Sequence, residues 1–116
     1  MHNFEKLRVY QKSLDMIDNV YRITGQFPRD EMFGLTNQFR RAAVSVVLNI
    51  TEGSGRTKKD FRRFLNMART SAYECVAILE IVRRRRYIND EEYGKFYDEL
   101  EIIIKMINKL RSSIHD

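Results

Sequence analysis

Apolar residues recur at steps of three and four along nearly the whole chain, which leaves little besides α-helix for it to form. One such row is Phe61, Leu65, Ala68, Ala72, Cys75, Leu79 and Val82. A second runs through Tyr93, Phe96, Leu100, Ile103, Ile107, Leu110 and Ile114, and a third through Leu7, Tyr10, Leu14, Ile17, Tyr21 and Thr24. No stretch alternates with the period of two that a half-buried strand needs. The punctuation agrees. Phe27 and Pro28, the only proline, are expected to end the first helix. Asp30 to Thr36 reads as an irregular approach to the second, and Gly53 as the left-handed residue after its last turn. Thr57 with Asp60 opens the third helix, Arg83 to Arg86 close it, and Asn89 with Glu92 forms the capping box of the fourth. Four helices with short connections imply an all-α, antiparallel up-down-up-down bundle, and 116 residues suit one domain over residues 1–116.

The second helix is apolar over too much of its circumference for an isolated bundle. Ala42, Ala43, Val44, Val46, Val47, Leu48 and Ile50 leave only Gln38, Arg41, Ser45, Asn49 and Glu52 as a polar stripe. A helix apolar nearly all round is normally buried nearly all round. The first helix adds another row, Val9, Met16 and Ile23, apart from the Leu7 stripe. Self-association is therefore expected, with Val9, Met16, Ile23, Val44, Val47 and Leu48 at the contact between copies.

The formal charge of +5 favours an anionic partner, and its distribution is two-sided. Between positions 40 and 63, seven basic residues stand against Glu52 and Asp60. Asp90, Glu91, Glu92, Asp98, Glu99 and Glu101 make the opening of the fourth helix acidic. No apolar run approaches the roughly 20 residues a membrane span requires, and the N-terminal MHNFEKLRVYQKS lacks a signal peptide's apolar stretch. A cytoplasmic location without membrane contact is expected. Cys75, the single cysteine, falls on the third helix's apolar stripe and reads as core packing.

The polar stretch NITEGSGRTKKDFRR is the natural place to look for chemistry. A phosphate-binding loop of the GxxxxGK type must follow a strand, and here the glycine spacing fails and a helix precedes it. The two histidines, His2 and His115, sit near the chain ends, so neither a histidine-dependent triad nor a carboxylate–histidine metal cage can be built. Glu52 with Asn49 and Ser45 could do acid–base work, but a structural network joining Asn49, Glu52 and Arg56 accounts better for a polar stripe on an apolar helix. No catalytic residues, metal or cofactor are expected. The third helix instead offers Lys59, Arg62, Asn66, Arg69 and Tyr73 as a row able to track a phosphate backbone. Arg83 to Arg86 partly cap the helix, and some are expected to pair with the acidic start of the fourth, in the same or a neighbouring subunit.

QFRRAAVSVVLNITEGSGR followed by KKDFRRFLNMARTSAYE resembles the signature of the four-helix bundle, or 23S rRNA intervening-sequence, protein family. Arg40, Arg41, Ala42, Ala43, Ser45, Asn49, Ile50, Glu52, Gly53 and Arg56 stand in register with it. The resemblance implies a homopentamer of up-down bundles. It also implies kinship with the accessory variability proteins of retroelements, which are basic pentameric barrels associated with a reverse transcriptase and nucleic acid. Two departures stand out: Val47 replaces the family's usual proline, and the four-arginine run is more basic than the family's usual end to the third helix. The expected function is non-catalytic, sequence-independent binding of RNA or DNA through Arg40, Arg41, Arg56, Lys58, Lys59, Arg62, Arg63 and Arg69. The alternative is a scaffold or accessory subunit that recruits an acidic protein partner.

Overall fold

The computed structural model describes residues 1–115. Among them are four α-helices and no strand: α1 (Arg8–Thr24), α2 (Asn37–Ser54), α3 (Lys58–Arg84) and α4 (Asp90–Ser113). None is long and apolar enough to cross a membrane. At 1.5 Å per residue, the 27 residues of α3 span roughly 40 Å, which sets the long axis of a molecule measuring 46 × 24 × 23 Å. Helix α1 packs on α2 and α4, and α3 packs on α2 and α4, whereas the diagonal pairs α1/α3 and α2/α4 make no comparable contact. At one end, Arg62 of α3 donates to the Ile114 carbonyl at 3.2 Å. At the other, Tyr87 donates to Glu31 at 2.8 Å and Arg22 of α1 lies 3.8 Å from Glu92 of α4.

The helix ends follow local chemistry, with three differences from the sequence reading. Helix α1 stops at Thr24, before Phe27 and Pro28. Beyond it the bonds tighten to Gln26 N–H on the Ile23 carbonyl and Phe27 N–H on Thr24, which turns Phe27 back into the core against the Tyr87 ring, 5.3 Å away. Gly53 is not a left-handed cap. It lies inside α2 and is buried, and no glycine has positive φ. The left-handed residue is Arg86, with φ 61°. It closes α3 with a pair of bonds, Arg86 N–H to the Arg83 carbonyl and Tyr87 N–H to the Val82 carbonyl, that normally belongs to glycine. Asn89 and Glu92 do form the expected capping box at α4.

The core stripes of α3 and α4 hold: Leu65, Ala68, Ala72, Cys75, Leu79 and Val82 face Phe96, Leu100, Ile103 and Ile107 inside the bundle. The two rows of α1 are exchanged. Val9, Met16 and Ile23 are buried with Val20 in the protomer's own core, while Leu7, Tyr10, Leu14 and Ile17 are only half-buried and Tyr21 is exposed. Val9, Met16 and Ile23 therefore cannot form the contact between copies that was expected of them. The inner row passes through buried Ser13, whose small polar side chain disguises it. In α2, which runs unbroken through Val47, that residue is also buried within the protomer. Of the six residues expected between copies, only Val44, half-buried, and Leu48, 60% exposed, remain open.

Candidate nucleic-acid interface

The α2–α3 turn is built by close contact between the two helices. A Cβ placed on Gly53 would lie 2.6 Å from the Cβ of Phe64 and 3.0 Å from the Phe61 ring, so any side chain larger than hydrogen must push the two helices apart. The chain then reverses within three residues. Arg56 N–H bonds the Gly53 carbonyl at 3.1 Å, and the Thr57 hydroxyl accepts from Asp60 N–H at 3.2 Å to cap α3.

Phe64 also organises the charge beside the turn, a role its place next to the Leu65 stripe does not announce. The Arg56 guanidinium lies 5.1 Å from the centre of its ring and that of Arg63 4.6 Å. Arg56 pairs with Glu52, which raises its pKa further, and Arg63 lies 3.7 Å from Asp60. These are exposed pairs, weak enough to open for a stronger anion. Lys58 and Lys59 are exposed in the first turn of α3 and have no hydrogen-bond or ion-pair partner among the described residues. Arg41 stands likewise unpaired on α2. It borders a groove of about 480 Å³ between α1 and α2, shared with Tyr21, Val44 and Leu48.

The remaining predicted cations serve the fold. Arg40 lies over the Tyr21 ring at 4.4 Å and donates to the Thr24 hydroxyl at 2.8 Å, fastening α2 to α1. Arg69 donates to Asn108 of α4 at 2.8 Å and to Asn66 at 3.0 Å, and Arg62 reaches the end of α4. The row Lys59, Arg62, Asn66, Arg69 and Tyr73 is therefore not one free surface, because its middle members lean onto α4.

The expected network of Asn49, Glu52 and Arg56 splits in two. Asn49 donates to the Ser45 carbonyl at 2.8 Å and to its hydroxyl at 3.1 Å, and Ser45 joins Ser71 of α3 at 2.9 Å. Glu52 turns away to Arg56. A helical step of four carries Asn49 back to Ser45, whereas Glu52 in the last turn of α2 meets Arg56 in the turn just beyond it. Nor, within the protomer, does the arginine run form an ion pair with α4's acidic start among the described residues. Arg83 and Arg84 both turn back to Glu80, whose carboxyl they hold below its usual range while Tyr93 donates to it at 3.2 Å.

Among the described residues, no group of three or more His, Cys, Asp and Glu side chains is placed to hold a metal ion. Cys75 is buried, and burial pushes its thiol up to about 12.

Comparison with known proteins agrees with this architecture. No curated protein matches the chain. A crystal structure of a protein of unknown function from the S23 ribosomal protein family of Bacteroides thetaiotaomicron VPI-5482 superposes with a TM-score of 0.83 at 25% identity, over 90% of this chain and 96% of that one. The family model described as 23S rRNA-intervening sequence protein matches residues 5–109, nearly the full length. The chain thus belongs to the 23S rRNA-intervening sequence protein family.

Proposed function

We propose that this protein is a non-catalytic, cytoplasmic nucleic-acid-binding protein, an antiparallel four-helix bundle that works as a homo-oligomer of five copies. It grips the phosphate backbone of RNA or DNA at the α2–α3 turn. The observation that carries this reading is the clustering of Arg56, Lys58, Lys59 and Arg63 on one exposed turn, with Lys58 and Lys59 unpaired and both arginines steadied by Phe64. Contacts from these cations to backbone phosphates carry no sequence information, so binding is sequence-independent. Arg41 extends the surface along α2. Arg40, Arg62 and Arg69 hold helices together and support the surface indirectly.

Fluorescence anisotropy with labelled single-stranded and duplex oligonucleotides, titrated over a series of salt concentrations, tests this. Affinity should fall steeply with salt, by a logarithmic slope of about 0.7 for each single-strand phosphate contacted. The double charge reversal Lys58→Glu/Lys59→Glu should weaken binding at least ~10-fold and flatten that slope. Salt-independent binding, or binding indifferent to the reversal, sinks the proposal. A second reading, a scaffold recruiting an acidic protein, is favoured by the open apolar residues Leu48 and Tyr21. Retention of the same partner after nuclease treatment would favour it.

A further inference from the structure

The polar stripe of α2 opens onto a groove that adjoins the basic turn. About 420 Å³ in volume, it is walled by Ser45 and Asn49 of α2 and by Arg63, Met67 and Ser71 of α3. Arg63, Met67 and Ser71 succeed one another by four residues, so the groove leaves the cationic turn at Arg63 and runs about 12 Å along the helices. Intramolecular bonds fix which polar atoms are left over. Both N–H bonds of the Asn49 amide are used on Ser45, at 2.8 Å to the carbonyl and 3.1 Å to the hydroxyl, which leaves Asn49 Oδ1 without a partner among the described residues. Ser45 and Ser71 share one proton across 2.9 Å, so one of their two hydroxyl protons still has no acceptor there. Asn66, at the same groove, accepts from Arg69 through Oδ1, and because a guanidinium can only donate, the Asn66 amide keeps its N–H groups open. Met67, 43% exposed, is the apolar surface among them. Acceptor and donors thus stand side by side, next to a guanidinium.

We propose that this groove reads the ribose 2′-hydroxyl, so that the protein selects RNA over DNA. This rests on the phosphate binding proposed above for the α2–α3 turn and adds the sugar chemistry that phosphate contacts lack. A 2′-hydroxyl is both donor and acceptor. With a backbone phosphate held at Arg63, the adjoining sugar enters the groove. Its hydroxyl gives its proton to Asn49 Oδ1 and accepts from the Ser45–Ser71 pair, while Met67 packs against its apolar face. A deoxyribose in the same place would displace water from these groups and return no hydrogen bond to them. Every ribonucleotide carries the same hydroxyl, so the selection works without reference to sequence. A base edge fits this role less well, because the four bases differ in their donor and acceptor patterns.

Anisotropy on the wild-type protein at fixed salt, with single strands of one sequence and length made as RNA, DNA and 2′-O-methyl RNA, tests this without requiring any variant to fold. RNA should bind about 5–10-fold more tightly than DNA, and the methylated strand should fall close to DNA because it has lost the hydroxyl proton. Oligo-A and oligo-U should show the same preference for ribose. Asn49→Ala/Ser71→Ala, with unchanged circular dichroism, should lower RNA affinity to the DNA value and leave DNA affinity as it was. Equal affinity of wild type for RNA and DNA overturns the sugar reading while salt-dependent phosphate binding at the turn stands; binding of neither strand overturns both. A preference present for oligo-A and absent for oligo-U would assign the groove to bases, and one that persists in the folded double variant would place the reading elsewhere. Either result overturns the proposal.

Discussion

Gly53 of α2 sits so close to Phe64 of α3 that a methyl group on the first would lie 2.6 Å from the Cβ of the second. The opposing atoms are the stem of an aromatic ring that also carries Arg56 and Arg63, so relief requires the helices to part. Gly53→Ala gains helix propensity but overpacks this contact, and it should cost about 1–3 kcal/mol net. Urea denaturation checks the magnitude. Oligonucleotide affinity should fall in the same variant, because displacing Phe64 releases both guanidiniums.

Arg86 occupies the left-handed region at φ 61°, where a Cβ crowds the following carbonyl. The two bonds back to α3, from Arg86 N–H and Tyr87 N–H, are made by backbone, so they survive loss of the Arg86 side chain. Arg86→Gly should raise stability by roughly 1 kcal/mol, seen as a higher midpoint in thermal or urea unfolding. An unchanged or lowered midpoint would mean that the guanidinium makes a compensating contact.

Arg69 bridges Asn66 and Asn108 from within the α3–α4 seam. Replacing it by Met keeps the aliphatic stem but abandons hydrogen bonds to a charged donor, at a cost of about 1.5–3 kcal/mol. With the variant still folded, the salt slope of oligonucleotide binding should match wild type. A reduced slope would return Arg69 to the phosphate-contacting set.

Glu80 is held below its usual carboxylate range first by its hydrogen bonds from Arg83 and Arg84. A carboxyl whose folded pKa is depressed contributes stability that is complete above its unfolded pKa, about 4.3, and is lost as pH falls through the lower folded value. Wild type should therefore lose stability on acidification below about pH 4 more steeply than Glu80→Gln does. Thermal midpoints collected across that acidic range would reveal the converging curves. Parallel curves would assign the acid sensitivity to other carboxylates.

The helices, their order and most of their caps were legible because each depends on residues three or four apart in one segment. Asn89 and Glu92 are an instance: the box needs nothing beyond its own turn. Membership of the bundle core was equally plain for α3 and α4, whose apolar rows have no rival. For α1 two rows satisfied the same spacing. The one with more large apolar residues, Leu7 to Tyr21, turned out to be the outer one, because Ser13 breaks the inner row on paper and not in space.

Local periodicity thus determined that this chain makes four helices and that positive charge gathers around the α2–α3 turn. Only the tertiary structure decided which face of α1 is covered, why Gly53 is glycine, and which arginines are free. Those questions turn on what lies across from a residue on another helix. Arg41 and Arg69 look alike in sequence, yet one faces solvent and the other finds Asn108, 39 positions away. Charge is a property of a residue, whereas availability is a property of its neighbours, and neighbours exist only once the helices have packed.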